Sequence, residues 1–173
     1  LEASAAVDQA ADDGVTPLFM ACHEGQIECV RLLLETGVAV NQADAEGFTP
    51  LLVASLKGHV EIARLLLEAG AAVAHADAQG RTPLLAACHF GHLEVARLLC
   101  DAGAAVGQAD DGGFSPLFVA CQKGHLEIVR LLLEARAAVD QAKEDGNTPL
   151  HIACQKVQLE GTPPLLGADA ADE

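Results

Sequence analysis

The sequence predicts an all-α solenoid, a row of stacked helix-turn-helix units joined by exposed hairpin-like loops. Three observations predict it. The triplet Thr/Ser-Pro-Leu begins at Thr16, Thr49, Thr82, Ser115 and Thr148, each 33 residues after the last. A glycine stands two residues before every triplet, at Gly14, Gly47, Gly80, Gly113 and Gly146. Alanines (Ala21, Ala54, Ala87, Ala120, Ala153) and glutamates (Glu28, Glu61, Glu94, Glu127, Glu160) hold the same register. Units this short cannot bury an apolar face alone, so a fixed period of this kind marks an array whose units stack.

Each unit reads as turn, short helix, second helix, turn. In GFTPLLVASLKGHVEIARLLLEAG, Thr49 suits a helix cap and Pro50 the first turn after it. The first helix ends at Gly58, and His59 opens a second in which Val60, Ala63, Leu66 and Leu67 recur at helical spacing. Gly70 supplies the left-handed residue that stops it. The following AAVAHADAQG is turn-rich and predicts the loop. On this reading a partial unit at 1–10 precedes units at about 11–43, 44–76, 77–109 and 110–142, an incomplete unit at 143–160 and a non-repeat tail at 161–173.

The last units depart from the pattern. Arg136 stands where Gly37, Gly70 and Gly103 end earlier helices, which costs about 1 kcal/mol if the left-handed turn is kept. Val157 replaces the junction glycine, and Pro163 and Pro164 fall inside what would be a second helix, where a proline costs about 3 kcal/mol. That helix is therefore expected to be absent or rebuilt, with Leu165 and Leu166 of an extended tail covering the last apolar flank. The C-terminal unit is expected to be the softest.

Composition narrows the function. A formal charge of −15 repels phosphate backbones and anionic membrane surfaces, which argues against nucleic-acid and membrane partners. No apolar run approaches the roughly 20 residues that span a bilayer, and LEASAAVDQAADDG lacks the features of a signal peptide. Cys22, Cys88, Cys121 and Cys154 share one position in the first helix, with Ser55 in the fifth copy. Stacked helices lie roughly 8–10 Å apart, too far for a disulfide, so these read as small buried thiols in a cytoplasmic or nuclear protein. No CxxC pair occurs, and Gly91 separates His89 from His92, so no metal or other cofactor is expected. Neither a nucleophile with its base nor a phosphate-binding loop appears, which argues against an enzyme.

The TPL triplets, the Gly-His pairs at the helix junctions (Gly58–His59, Gly91–His92, Gly124–His125) and the GAAV tails resemble the ankyrin repeat family over about residues 1–160. The resemblance implies an ankyrin-repeat solenoid with first helices on a concave face, an architectural role for those histidines, and non-enzymatic recognition of a protein partner. Asn41 resembles the asparagine that hydroxylases modify in some ankyrin proteins. His151 alone keeps the TPLH form; Phe19, Leu52, Leu85 and Phe118 replace it elsewhere.

Positions that vary between units are free to bind. They are the residues beside each turn glycine and a pair late in each first helix, which in this family face the groove and the loop tips. This selects Phe48, Leu56, Lys57, Arg81, His89, Phe90, Phe114, Gln122 and Lys123. Phe48, Leu56, Phe90 and Phe114 form an apolar strip flanked by Arg81, Lys57 and Lys123, the aromatic-plus-arginine chemistry of interface hot spots. Asp12, Asp13, Asp110, Asp111, Glu144 and Asp145 are expected to make an acidic loop rim, which suits a basic or mixed-charge partner segment. The alternatives are an end-to-end assembling element, in which case a monomer gives way to a weak oligomer, and an engineered binding scaffold.

Overall fold

In the computed structural model, residues 9–143 and 145–160 are described. They contain nine helices and no strand. Four pairs come first: α1 Pro17–His23 with α2 Ile27–Glu35, α3 Pro50–Lys57 with α4 Val60–Glu68, α5 Pro83–Phe90 with α6 Leu93–Asp101, and α7 Pro116–Lys123 with α8 Leu126–Glu134. A single helix, α9 Pro149–Glu160, follows.

Local chemistry sets these limits. Thr16, Thr49, Thr82 and Ser115 are buried N-caps whose hydroxyls accept the N–H of Phe19, Leu52, Leu85 and Phe118. The proline that follows has no N–H to leave unpaired. Gly58, Gly91 and Gly124 take left-handed backbone and stop α3, α5 and α7. At Thr148 the same cap is elaborated. Its hydroxyl accepts the His151 N–H at 3.2 Å, and its own N–H donates to His151 Nδ1 at 3.3 Å. That is what the lone TPLH histidine bonds. In the other units the corresponding Phe or Leu is buried instead.

Packing follows the period. First helices pack on first helices (α1 on α3 on α5 on α7 on α9), second on second (α2 on α4 on α6 on α8), and each pair on itself. Ala54, Ala87 and Ala120 are fully buried where first helices meet, and their small side chains permit close approach. Leu66, Leu99 and Leu132 seal the second layer with no exposed surface. Ser55, in the cysteine register, satisfies its buried hydroxyl by donating to the Leu51 carbonyl at 2.7 Å.

The loops form a row of their own. Ala45, Ala78 and Asp111 donate backbone bonds to the carbonyls of Asp13, Glu46 and Gln79 in the preceding loop, at 2.9, 3.0 and 3.0 Å. Asn41 reaches across as well: its Oδ1 accepts the Ala72 N–H at 2.7 Å and its Nδ2 donates to the Gly70 carbonyl at 3.3 Å. Its amide thus joins neighbouring units. A junction histidine does the same, with His92 Nε2 donating to the Leu56 carbonyl at 3.1 Å and His125 Nε2 to that of His89 at 3.3 Å.

Three expectations are refined. Arg136 keeps the left-handed turn at φ 61°, alone among described non-glycine residues. With no glycine at 157 to break it, α9 runs through the expected junction to Glu160 as one helix of 12 residues. Cys22, Cys88 and Cys121 are buried, but Cys154, expected to match them, is exposed, because no described unit packs beyond α9. Burial raises the Cys22 thiol to about 12 and that of Cys121 to about 11, so both stay protonated and inert at neutral pH. The expectations for the tail 161–173 and for Glu144 fall outside the described residues.

Candidate functional site

The first helices and the loops enclose a groove of about 290 Å³ across the middle units. Its floor is framework: Leu52 of α3, Leu85 and Ala86 of α5, and Val119 of α7. All four are buried. The walls are the variable positions. Phe48 and Phe114 rise from the loops, Leu56, His89, Phe90 and Gln122 from the helix C-terminal ends, and Arg81 and Asp110 complete the lining. Of the residues selected from sequence, only Lys57 and Lys123 do not line it. Both are exposed at the ends of α3 and α7, one position beyond Leu56 and Gln122.

The three phenylalanines differ in kind. Phe90 is 52% exposed, with its ring 4.7 Å from that of His89 and stacked 6.3 Å from that of His92. Phe48 and Phe114, expected on the exposed surface, are half-buried. Arg81 lies over the Phe48 ring at 5.2 Å, and Lys143 lies over the Phe114 ring at 4.0 Å, each a cation–π contact. Phe114 also meets Phe118 edge-on at 5.4 Å. The loop rings are therefore set in place before anything binds, while Phe90 stands free to be covered.

Arg81 is engaged too. Its Nε donates to the fully buried Asp77 carboxylate at 2.6 Å, and its Nη2 donates to Gln79 Oε1 at 2.8 Å. Asp77 Oδ1 also accepts the N–H groups of Gln79 and Arg81. Asp44 and Asp110 brace their loops in the same way, Asp44 through Glu46 and Phe48, Asp110 through Gly112 and Phe114. This corrects the rim: Asp110 faces inward and is committed to the backbone that presents Phe114. The period carried that signal, since Asp44, Asp77 and Asp110 stand 33 residues apart with Lys143 next in line. Lys143 was missed because its contact with Phe114 depends on the path of two loops.

His89 titrates below its ordinary value, through partial desolvation and then through the nearby charges of Lys123, His125 and Arg81. Among the described residues no group of three His, Cys, Asp or Glu is placed to hold a metal ion. No described helix is long and apolar enough to cross a membrane.

The model for ankyrin repeats in three copies matches residues 1–77, 72–142 and 102–172, which together span nearly the whole chain. The chain belongs to the ankyrin repeat family. Ankyrin repeats are generally protein–protein interaction modules. A comparison with curated proteins found no match. In this ankyrin array the framework positions of the family are used for stacking, and the groove is walled by the side chains left over.

Proposed function

We propose that this ankyrin array is a non-enzymatic binding module that holds a partner protein in its concave groove, with one large apolar side chain of the partner seated among Phe48, Phe90 and Phe114. The observation that carries this reading is the pairing of a preformed apolar pocket with aromatic residues the stack does not need. At the position of Phe90 the other units have Glu24, Lys57, Lys123 and Lys156, and the stack tolerates them all. A half-exposed phenylalanine over an apolar floor gains on the order of 1 kcal/mol when a partner covers its remaining surface. At a desolvated centre, hot-spot residues contribute more than that.

The test compares the proteins captured from a lysate by wild type and by Phe90→Ala, identified by mass spectrometry. Phe90→Ala is expected to weaken capture at least about tenfold, with thermal stability almost unchanged because the ring packs little of the core. An identical captured set at identical yield refutes the reading.

A second reading, end-to-end stacking between molecules, is favoured by the first unit's outer flank, where Met20, Ile27 and Leu32 are exposed. Static light scattering separates the two. A mass that rises with concentration supports assembly, and one that stays at 17.8 kDa excludes it.

A further inference from the structure

We propose that the groove receives an acidic segment, one large apolar anchor with Asp or Glu residues a few positions along, running toward the C-terminal ends of α3, α5 and α7. The inference rests on the groove reading above and adds the sign of the partner's charge.

Net charge points the other way, so the argument turns on where the charges sit. The chain carries −15, and the loops hold Asp12, Asp13, Asp44, Glu46, Asp77, Asp110, Asp111 and Asp145, about 12 Å (one first-helix length) from the C-terminal ends of the first helices. The second helices hold Glu28, Glu61, Glu94 and Glu127 in their first turns and Glu35, Glu68, Asp101 and Glu134 at their ends, half offset by Arg31, Arg64, Arg97 and Arg130. Those helices form the other layer, about 8–10 Å behind the first. At physiological ionic strength the Debye length is about 8 Å, so exposed acids on the far layer act weakly in the groove.

The groove side carries the opposite sign. Lys57 ends α3, Phe90 ends α5 and Lys123 ends α7, all at one register position of helices that pack on one another. The exposed ring therefore stands between two exposed lysines. Arg31, Arg64, Arg81, Arg130 and Lys143 each have a carboxylate partner, whereas among the described residues Lys57 and Lys123, like Arg97 and Arg136, make no ion pair. The carboxylates beside the groove lie at its loop end, away from Lys57 and Lys123. Asp110 accepts two loop N–H groups, and Asp77 is sealed beneath Arg81. At the helix C-terminal end of the middle units the charges are Lys57 and Lys123, and Glu24 follows only in the first unit.

Helix-end electrostatics alone does not require these lysines. Cations do suit a helix C-terminus, yet α5 ends in Phe90 and α1 is followed by Glu24 at the same register. The neighbourhood of His89 reports the same field, since Lys123 and Arg81 add to desolvation in disfavouring its protonation. The imidazole is thus disfavoured as a cation, and the unpaired charge offered to a ligand is that of Lys57 and Lys123.

Panning a phage-displayed library of random peptides on the intact chain tests this. Selected peptides are expected to share a large apolar residue with Asp or Glu close by. A synthetic selected peptide should bind several-fold more weakly as salt rises from roughly 50 to 300 mM. Lys57→Glu/Lys123→Glu should weaken it about tenfold or more, while an analogue with the acids replaced by Ala binds the wild type and the double variant equally. Neutral or Lys/Arg-rich selections, or a double variant that binds the acidic peptide as wild type does, overturn the charge assignment. If no peptides are selected, or if those selected bind Phe90→Ala as tightly as wild type, the groove reading itself fails.

Discussion

Leu99→Ala is expected to lower the unfolding free energy by about 2–5 kcal/mol, a large share of the roughly 5–15 kcal/mol that holds a domain of this size together. Leu99 is wholly buried in α6, the second helix of a central unit, with α4 on one side and α8 on the other. Truncating it removes apolar contacts toward both neighbours, and packed helices relax too little to fill the void. The consequence reaches beyond the site. Units in a solenoid are held by their own stability plus the interfaces on either side, so weakening the middle uncouples the ends. Urea unfolding followed by circular dichroism should therefore broaden or split as well as shift. Leu33 is the internal control. It occupies the same register in the first unit but is only half-buried, so Leu33→Ala should cost about half as much. Equal losses at the two positions, or a Leu99→Ala transition as sharp as wild type at an unchanged midpoint, would contradict the stacked-layer account.

The contrast between these leucines shows what sequence reveals and what it withholds. The helices were legible because their limits are set by local chemistry that repeats: threonine then proline to start, left-handed glycine to stop. Arg136 was legible for the same reason, since a broken rule at a known register predicts its own strain, and φ 61° is that strain. Register alone does not say how deep a residue lies, because depth depends on whether a neighbour is present. Leu33 and Leu99 are one residue type in one register with different burial, and so are Cys121 and Cys154. In the groove, variability between units picked out most of the walls but not the floor of Leu52, Leu85, Ala86 and Val119, which belongs to the framework. Contacts across the turn were the least visible. Asp77 beneath Arg81 and Lys143 over Phe114 join residues whose meeting depends on the loop path. A carboxylate that braces a turn is written with the same letter as one that faces water.

Gly58→Ala should cost about 2–4 kcal/mol, against about 1 kcal/mol for Gly70→Ala, although both glycines lie in left-handed backbone. Their φ angles are 76° and 85°, so each substitution incurs the conformational penalty. Only Gly58 also has an occupant above it. A Cβ there would lie 2.5 Å from His92 Nδ1 and 2.8 Å from Cγ, whereas at Gly70 nothing lies within 4 Å. Because Cγ is next to the His92 backbone, the ring cannot slide aside and must leave its position. Its bond to the Leu56 carbonyl is then lost. The excess cost therefore belongs to an interaction between units, and a double-mutant cycle with His92→Ala should recover most of it. Additive losses would show that the histidine ring is incidental. The same bond fixes the end of α3, which carries Leu56 in the groove wall and Lys57 beside it. Gly58→Ala should thus weaken partner capture even at temperatures where the array stays folded, and Gly70→Ala should not. The glycine-histidine junction that makes the units stack in register also sets the spacing of the side chains that bind.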